Sequence, residues 1–432
     1  MGADRPPSRP GGSASISSMK AIQRRASGRR AGWVRVLAVL GPGLVVMLAD
    51  TDAGSIVTAA QSGARWGFRL VPLQLLLIPV LYLVMEPTVR LAIGTGKGHA
   101  QLIRERFGTG WAVVSVGTLL ISTTGALITE FAGLAGAGRA VGVPAPLAVS
   151  LGLVVLLVVA VSGSYRRVEA AGIALGLFEV AFFVAAVRAH PDASALARSL
   201  WSPQPLGDGG YLALVMANVG AVIMPWMVFY QQAAMVDKGL GPRDLRAGRL
   251  DTAAGAVLTQ AVMIAVVVAA GATLYRHHAG SLGSVEQVAS ALTPYLGGRG
   301  GRIAFALGIT GAALVASIVT SLAAAWSLAE LAGSPRSLND RPRRAPLFYG
   351  AYAVSLGVAA TAVLLSHSLV HLTIDVEVMN AALLPIVLGF LLALAWTALP
   401  EPLRLRRLER VLLGLLIPAV ALLGLAAAWR GI

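Results

Sequence analysis

The chain has 432 residues, of which 56% are hydrophobic and 13% charged, with no cysteine and a net charge of +15. Soluble globular chains run at about 45–50% apolar and about 25% charged, so a soluble enzyme of this size could not hide so much apolar surface. The composition implies an integral membrane protein, and the lack of cysteine excludes disulfides, thiolate metal sites and a cysteine nucleophile. The apolar runs are long and nearly charge-free, which points to helices and against an outer-membrane barrel of alternating strands.

Residues 1–32 are rich in Pro, Gly, Ser and Arg, with no apolar stretch before Trp33. They read as a disordered basic cytoplasmic tail, not a signal peptide. Crossing the hydrocarbon takes roughly 20 residues per helix. Eleven runs qualify: about 34–62, 69–94, 109–138, 145–164, 169–188, 211–237, 250–275, 303–333, 346–366, 376–398 and 408–428. With the N-terminus inside, inside segments hold 25 Lys and Arg and outside segments 9. This asymmetry predicts a multi-pass protein of the cell (inner) membrane, N-terminus cytoplasmic and C-terminus outside. It also accounts for the positive charge without a nucleic-acid partner.

Two spans are unusual. The first reads GPGLVVMLADTDAGSIVTAAQSG, with Asp50 and Asp52 at mid-membrane beside Gly54 and Ser55. A carboxylate there costs about 2.5–3.5 kcal/mol on insertion scales, and two in three residues disfavour an uninterrupted helix facing lipid. The sixth reads ALVMANVGAVIMPWMVFYQQAAMVDKG, with Pro225 at its middle, where it removes a backbone hydrogen bond. Breaks are expected at about 50–55 and 223–227, with Met224-Pro225-Trp226-Met227 unwound. Each of these spans opens a five-span set, about 34–188 and about 211–398, and an odd number of spans inverts the second set. Interrupted helices at matching places in inverted halves point to a mid-membrane binding site in a transporter. The span at 408–432 falls outside the repeat and reads as peripheral.

A carboxylate with hydroxyl and carbonyl oxygens makes a cation site. The candidate set is Asp52, Ser55, Met224 and the carbonyls near Ala53 and Ala221. Hard ions gain little from sulfur, so a thioether ligand at Met224 leans toward Mn²⁺, Fe²⁺ or their neighbours. Packing is the alternative role for Met224.

GPGLVVMLADTDAGSIVTAAQSGARWGF, TGKGHAQLIRERFG, SYRRVEAAGIALGLFEV and AVIMPWMVFYQQ, in this order, resemble the Nramp divalent-metal transporters from about residue 36 to 398. The resemblance implies an all-α LeuT-type fold, a 5+5 inverted repeat plus one extra helix, and alternating access. It implies metal ligands at Asp52, Met224 and the Ala221 carbonyl, with Ser55 where the family has Asn. Ala53 replaces the Pro of the family's DPGN, and Trp226 and Met227 replace the His and Asn of its MPHN. The family's polar side chain on the tenth helix is matched to Asn380. Of the acidic pair on its third helix, Glu130 matches one member and Leu127 stands for the other. Loss of the histidine and of one acid implies weak or absent proton coupling. Asp50 is an extra acid that favours a harder ion, so an uncoupled Mg²⁺ transporter of the Nramp-related type is the alternative; a non-transporting LeuT-fold scaffold or sensor is the further alternative.

Among the remaining residues, Glu179 in LGLFEVAFF reads as a structural or gating partner. Glu86 and Arg90 read as an i,i+4 ion pair. Arg166, Arg167 and Glu169 suggest an ion pair that locks a loop, and His277 and His278 read as solvated. No phosphate-cradling loop, HExxH or Ser-His-Asp arrangement occurs in a credible context. The expectation is a transporter, not an enzyme, without a resident cofactor, whose partners are the divalent ion as cargo, the lipid bilayer and at most protons.

Overall fold

The computed structural model describes residues 41–162, 164–275, 282, 285–292, 297–365 and 372–429. The N-terminal tail and His277 and His278 lie outside the described residues. All described regular structure is helical: α1 Pro42–Asp50, α2 Ala53–Trp66, α3 Val71–Thr95, α4 His99–Phe107, α5 Thr109–Ala140, α6 Ala145–Val161, α7 Tyr165–Gly176, α8 Val180–Arg188, α9 Ala193–Ser199, α10 Gly209–Val222, α11 Pro225–Asp237, α12 Leu245–Thr273, α13 Val285–Leu292, α14 Arg299–Ala332, α15 Pro346–Leu365, α16 Leu372–Thr397 and α17 Arg407–Trp429, with short 3-10 turns between some of them. Each of the eleven expected spans coincides with one of these helices or with a broken pair. The first span is α1 and α2, bent by 51° at their junction, and the sixth is α10 followed by α11.

Burial separates inner from outer helices. The apolar window of the sixth span is 83% buried and that of the fifth only 28%. The sixth span therefore runs through the middle and the fifth lies on the rim. Rim helices expose large apolar side chains such as Leu151, Val154, Val158, Leu177 and Val187. A continuous apolar surface of this kind suits lipid, not water. Around the broken spans, α12 packs on α1, α2 and α3, and α14 lies along α5. α17 packs against α16, and its Glu409 pairs with Arg90 of α3 at 2.5 Å. The last helix is thus tied into the bundle by charge as well as by apolar contact.

The breaks are shorter than the sequence predicts. Only residues 51–52 and 223–224 leave the helical path. Asp52 is the N-cap of α2, with φ −71° and ψ 174°, and its side chain accepts the Ser55 N–H at 2.6 Å. Residues 53–55 therefore belong to the helix. Pro225 opens α11 instead of sitting in an unwound stretch. A proline at the first helical position sacrifices no bond, because that N–H has no intrahelical acceptor. Trp226 and Met227 are helical for the same reason, and Met224 is the extended N-cap before them.

Candidate functional site

Hydrogen-bonding groups at a helix end need partners, and in the membrane water cannot supply them. The two breaks satisfy each other. The Ser55 hydroxyl donates to the Ala221 carbonyl at 3.0 Å, which joins the start of α2 to the last turn of α10. The Ala53 N–H donates to Glu130 Oε2 on α5 at 3.3 Å. Gly133, one turn along α5, lies so close to Ala53 that an added Cβ would stand 2.6 Å from the Ala53 methyl. Glu130 is therefore a direct partner of the break, and its Oε1 has no hydrogen-bond donor among the described residues.

Asp52, Ser55, Ala53, Ala221, Met224, Trp226 and Met227 are all buried at 0–1% exposure. The Ala53 carbonyl belongs to the first turn of α2, whereas the Ala221 carbonyl, in the last turn of α10, accepts from the Ser55 hydroxyl. The Trp226 indole N–H has no acceptor among the described residues. Asp50 closes α1, and neither of its oxygens is hydrogen-bonded among the described residues. Asp52, Glu377 and Glu179 are the carboxylates that act on it. Glu179 occupies a 3-10 turn within the fifth span, beside Thr51. The Thr51 hydroxyl already donates to the Leu48 carbonyl at 2.7 Å, and neither Glu179 oxygen has a donor among the described residues.

The tenth span brings a second polar side chain to the site. Asn380 is buried; its Oδ1 accepts from Ser122 of α5 at 2.6 Å, and its amide nitrogen has no partner among the described residues. The side chain that reaches the break is Glu377, one turn earlier. A methyl group placed on Gly54 would collide with Glu377 Oε1 and lie 3.4 Å from Asp52 Oδ1. On the α10 side, a Cβ on Gly220 would stand 2.7 Å from the Glu377 carbonyl oxygen. Sequence reasoning missed Glu377 because the tenth span was started at 376, which made residue 377 a terminal carboxylate. The helix starts at Leu372, so Glu377 sits well inside it. An acid within an apolar run was the available signal.

Two polar seals flank the breaks. On one side Gln74 donates to Asn218 at 2.6 Å, and Asn218 donates to Ser62 at 2.8 Å, linking α3, α10 and α2. On the other side Asp251 of α12 accepts the N–H groups of Gly41, Gly43 and Leu44 at 3.1, 2.7 and 3.2 Å. That is a carboxylate capping the N-terminus of α1. Gly41 has φ +147°, and Glu169 fills the place its Cβ would take. Glu169 pairs with Lys238 at 2.7 Å. The loop-locking ion pair expected at this turn is thus made across to the end of the sixth span. His99 of α4 hydrogen-bonds Gln232 through Nδ1 at 2.9 Å, and burial pushes its imidazole down to about 4 despite that bond.

Among the described residues, no three Asp, Glu or His side chains stand close enough to hold a metal ion by themselves. A cation at the break needs carbonyl, hydroxyl or thioether atoms as well as carboxylate, and the residues around Asp52 offer all three.

A family model described as natural resistance-associated macrophage protein-like (Nramp) matches residues 43–430. The divalent metal cation transporter MntH of Acidiphilium cryptum (strain JF-5) is 26% identical over 388 residues, 86% of this chain and 87% of that protein. Divalent metal cation transporter MntH 1 of Pseudomonas aeruginosa is 29% identical over 277 residues, 60% of this chain and 62% of that relative's length. Among solved structures, the Eremococcus coleocola manganese transporter in complex with an aromatic bis-isothiourea substituted compound superposes with a TM-score of 0.71 at 19% identity, over 91% of this chain and 87% of that one. A nucleobase-cation-symport-1 family transporter in a closed conformation gives 0.62 at 14% identity, over 90% of each chain. The structural likenesses establish the LeuT-type fold. The family match runs over nearly the whole membrane region, through both breaks, and the chain belongs to the Nramp family.

Proposed function

We propose that this protein is a secondary transporter that moves a divalent metal ion of the Mn²⁺/Fe²⁺ kind across the inner membrane by alternating access, with its N-terminus in the cytoplasm. The observation that carries the reading is the meeting of the two breaks. Asp52 and Met224 cap the inner ends of two half-helices from opposite halves of the chain, and Ser55 bonds Ala221 between them. The residues that carry carboxylate, carbonyl, hydroxyl and thioether at the two breaks are all buried at 0–1% exposure. Such a mixed donor set suits a borderline ion. The names of the curated relatives and of the manganese transporter support a metal cargo.

Coupling to protons is weak in this reading. The family's sixth-helix histidine is Trp226 here, and His99, which hydrogen-bonds Gln232 on that helix, stays neutral because it is buried. One observation favours Mg²⁺ as a second cargo: Glu377 Oε1 and Asp52 Oδ1 both border the bare face of Gly54, and hard ions prefer carboxylate oxygens. The test is metal uptake into proteoliposomes holding the purified protein, across Mn²⁺, Fe²⁺, Co²⁺, Ca²⁺ and Mg²⁺. Wild type should accumulate Mn²⁺, and Asp52→Ala should reduce uptake to the level of empty vesicles. Uptake that survives Asp52→Ala, or a wild type that moves none of these ions, overturns the reading.

A further inference from the structure

We propose that the cleft between the end of α16 and the start of α17 is a binding site for one anionic phospholipid. The cleft holds about 530 Å³ and is lined by Trp396, Arg407, Arg410, Val411, Gly414 and Leu415. On α17 the lining positions follow i, i+3, i+4, i+7 and i+8, so they share one face of the helix. That face is divided by chemistry: two guanidinium groups stand at the first turn, and an apolar strip follows along the span. The face turned to the bundle is different, with Leu413, Ile417 and Val420 all buried.

The two arginines are not neutralised from within the protein. Residues 404–410 carry four Arg and one Glu. That carboxylate, Glu409, bonds Arg90 at 2.5 Å and the Arg406 N–H at 2.7 Å. Glu401, just before the segment, lies 3.6 Å from Arg404. Among the described residues no carboxylate pairs with Arg407 or Arg410. The Nε–H of Arg410 donates to the Leu405 carbonyl at 3.2 Å, which holds that guanidinium beside the loop with its terminal nitrogens free for an acceptor.

The apolar half has room for a hydrocarbon chain. A Cβ on Gly414 would meet only Trp396, at 3.9 Å, so the missing side chain leaves a gap beside the indole. Trp396, Val411 and Leu415 are 53%, 52% and 69% exposed. Trp396 stands in the last turn of α16, which ends at Thr397, and tryptophan at the end of a span marks the level of lipid headgroups. Phosphate and arginine therefore meet at the same depth.

The charge and the apolar strip together select the occupant. A guanidinium fork matches the oxygens of a phosphate, and an acyl chain covers Gly414 and Leu415. A lipid without net charge brings its own cation to the arginines, and a soluble phosphate leaves the strip unused. A second copy of the chain seated by two-fold symmetry would set like charges against each other. Arg90 Nη1 bonds the Leu403 and Arg404 carbonyls at 3.3 and 3.2 Å, so this junction is fixed to the end of α3. In the orientation proposed above that end is cytoplasmic, and the cytoplasmic leaflet is the one that carries anionic lipid.

The experiment titrates the detergent-purified full chain with phosphatidylglycerol, phosphatidylcholine or glycerol phosphate. Bound lipid is read by native mass spectrometry and the unfolding temperature in parallel. Phosphatidylglycerol should bind one molecule tightly and raise the unfolding temperature, while the other two do neither. Arg407→Gln with Arg410→Gln should raise its half-saturating concentration by about tenfold or more, as two basic side chains at an anionic surface imply. Gly414→Leu, which fills the cleft and keeps every charge, should weaken binding by about fivefold. Arg404→Gln with Arg406→Gln removes the same charge from outside the cleft and should leave binding near the wild-type level. Equal loss in the two arginine pairs means diffuse attraction and overturns the site, as does phosphatidylglycerol binding no better than phosphatidylcholine. Glycerol phosphate binding as well as the lipid overturns the lipid assignment. Should the Arg407 and Arg410 pair fail to fold, Gly414→Leu decides, and unchanged binding there overturns the proposal.

Discussion

At Asp52 one side chain has two tasks: its Oδ1 caps α2 by accepting the Ser55 N–H, and its charge faces Glu377. Replacement by Asn keeps a capping oxygen and removes the charge, so Asp52→Asn should fold and lose uptake. A monodisperse, thermally stable Asp52→Asn protein with normal Mn²⁺ transport would show that the charge is dispensable. Met224 is the complementary case. It is buried at the end of the second break, and truncation to Ala should weaken Mn²⁺ binding by about tenfold, near 1.4 kcal/mol, with a smaller effect on Mg²⁺. Equal losses for the two ions would mean that its sulfur only packs.

At the scale of elements, the half-helix α1 is held at its outer end by hydrogen bonds from three N–H groups to one carboxylate, Asp251. Hydrogen bonds to a charged group contribute about 1.5–3 kcal/mol each. A short helix of nine residues has few other polar ties, since Thr259 on the same neighbour supplies one more, to the Met47 carbonyl at 2.6 Å. Asp251→Asn should therefore let α1 move away from α12 more often. The natural chain has no cysteine, so a single cysteine placed at Ala49, buried at 0% exposure, reports that motion. Its labelling by a water-soluble maleimide should be several-fold faster in the Asp251→Asn background. Equal rates would show that other contacts hold α1.

At the scale of the molecule, Arg90 joins α3 to the last helix. It bonds Glu86 on its own helix at 2.6 Å and Glu409 at 2.5 Å, while Arg249 of α12 shares Glu86 at 2.6 Å. Removing one member of a buried ion pair costs about 3–5 kcal/mol, lessened here because Arg249 still pairs with Glu86. Arg90→Leu should lower the unfolding temperature in detergent clearly more than Glu409→Gln, whose side chain is 31% exposed. A smaller effect from Arg90→Leu would contradict a hub at this position. Proton coupling is also a property of the whole cycle. Lumenal pH should stay nearly constant during metal uptake; acidification that tracks uptake and vanishes in Glu130→Gln would place a proton route on α5.

Apolar run length and the positions of Asp52 and Pro225 made an all-helical membrane fold with two interrupted spans legible in the sequence alone. These are local properties: helix length follows bilayer thickness, and a buried acid or proline interrupts a helix wherever it stands. The extent of each break was not local. Capping by the Asp52 side chain and the harmless place of Pro225 at a helix start shortened both to two residues. The partners of the break were decided by packing alone. Glu130 meets Ala53 across 77 positions and Ser55 meets Ala221 across 166. Glu377 borders Asp52 across Gly54 and Asn380 meets Ser122, three residues on along the same face of α16; which face of a helix turns inward is fixed by the neighbours it packs against, not by its own composition.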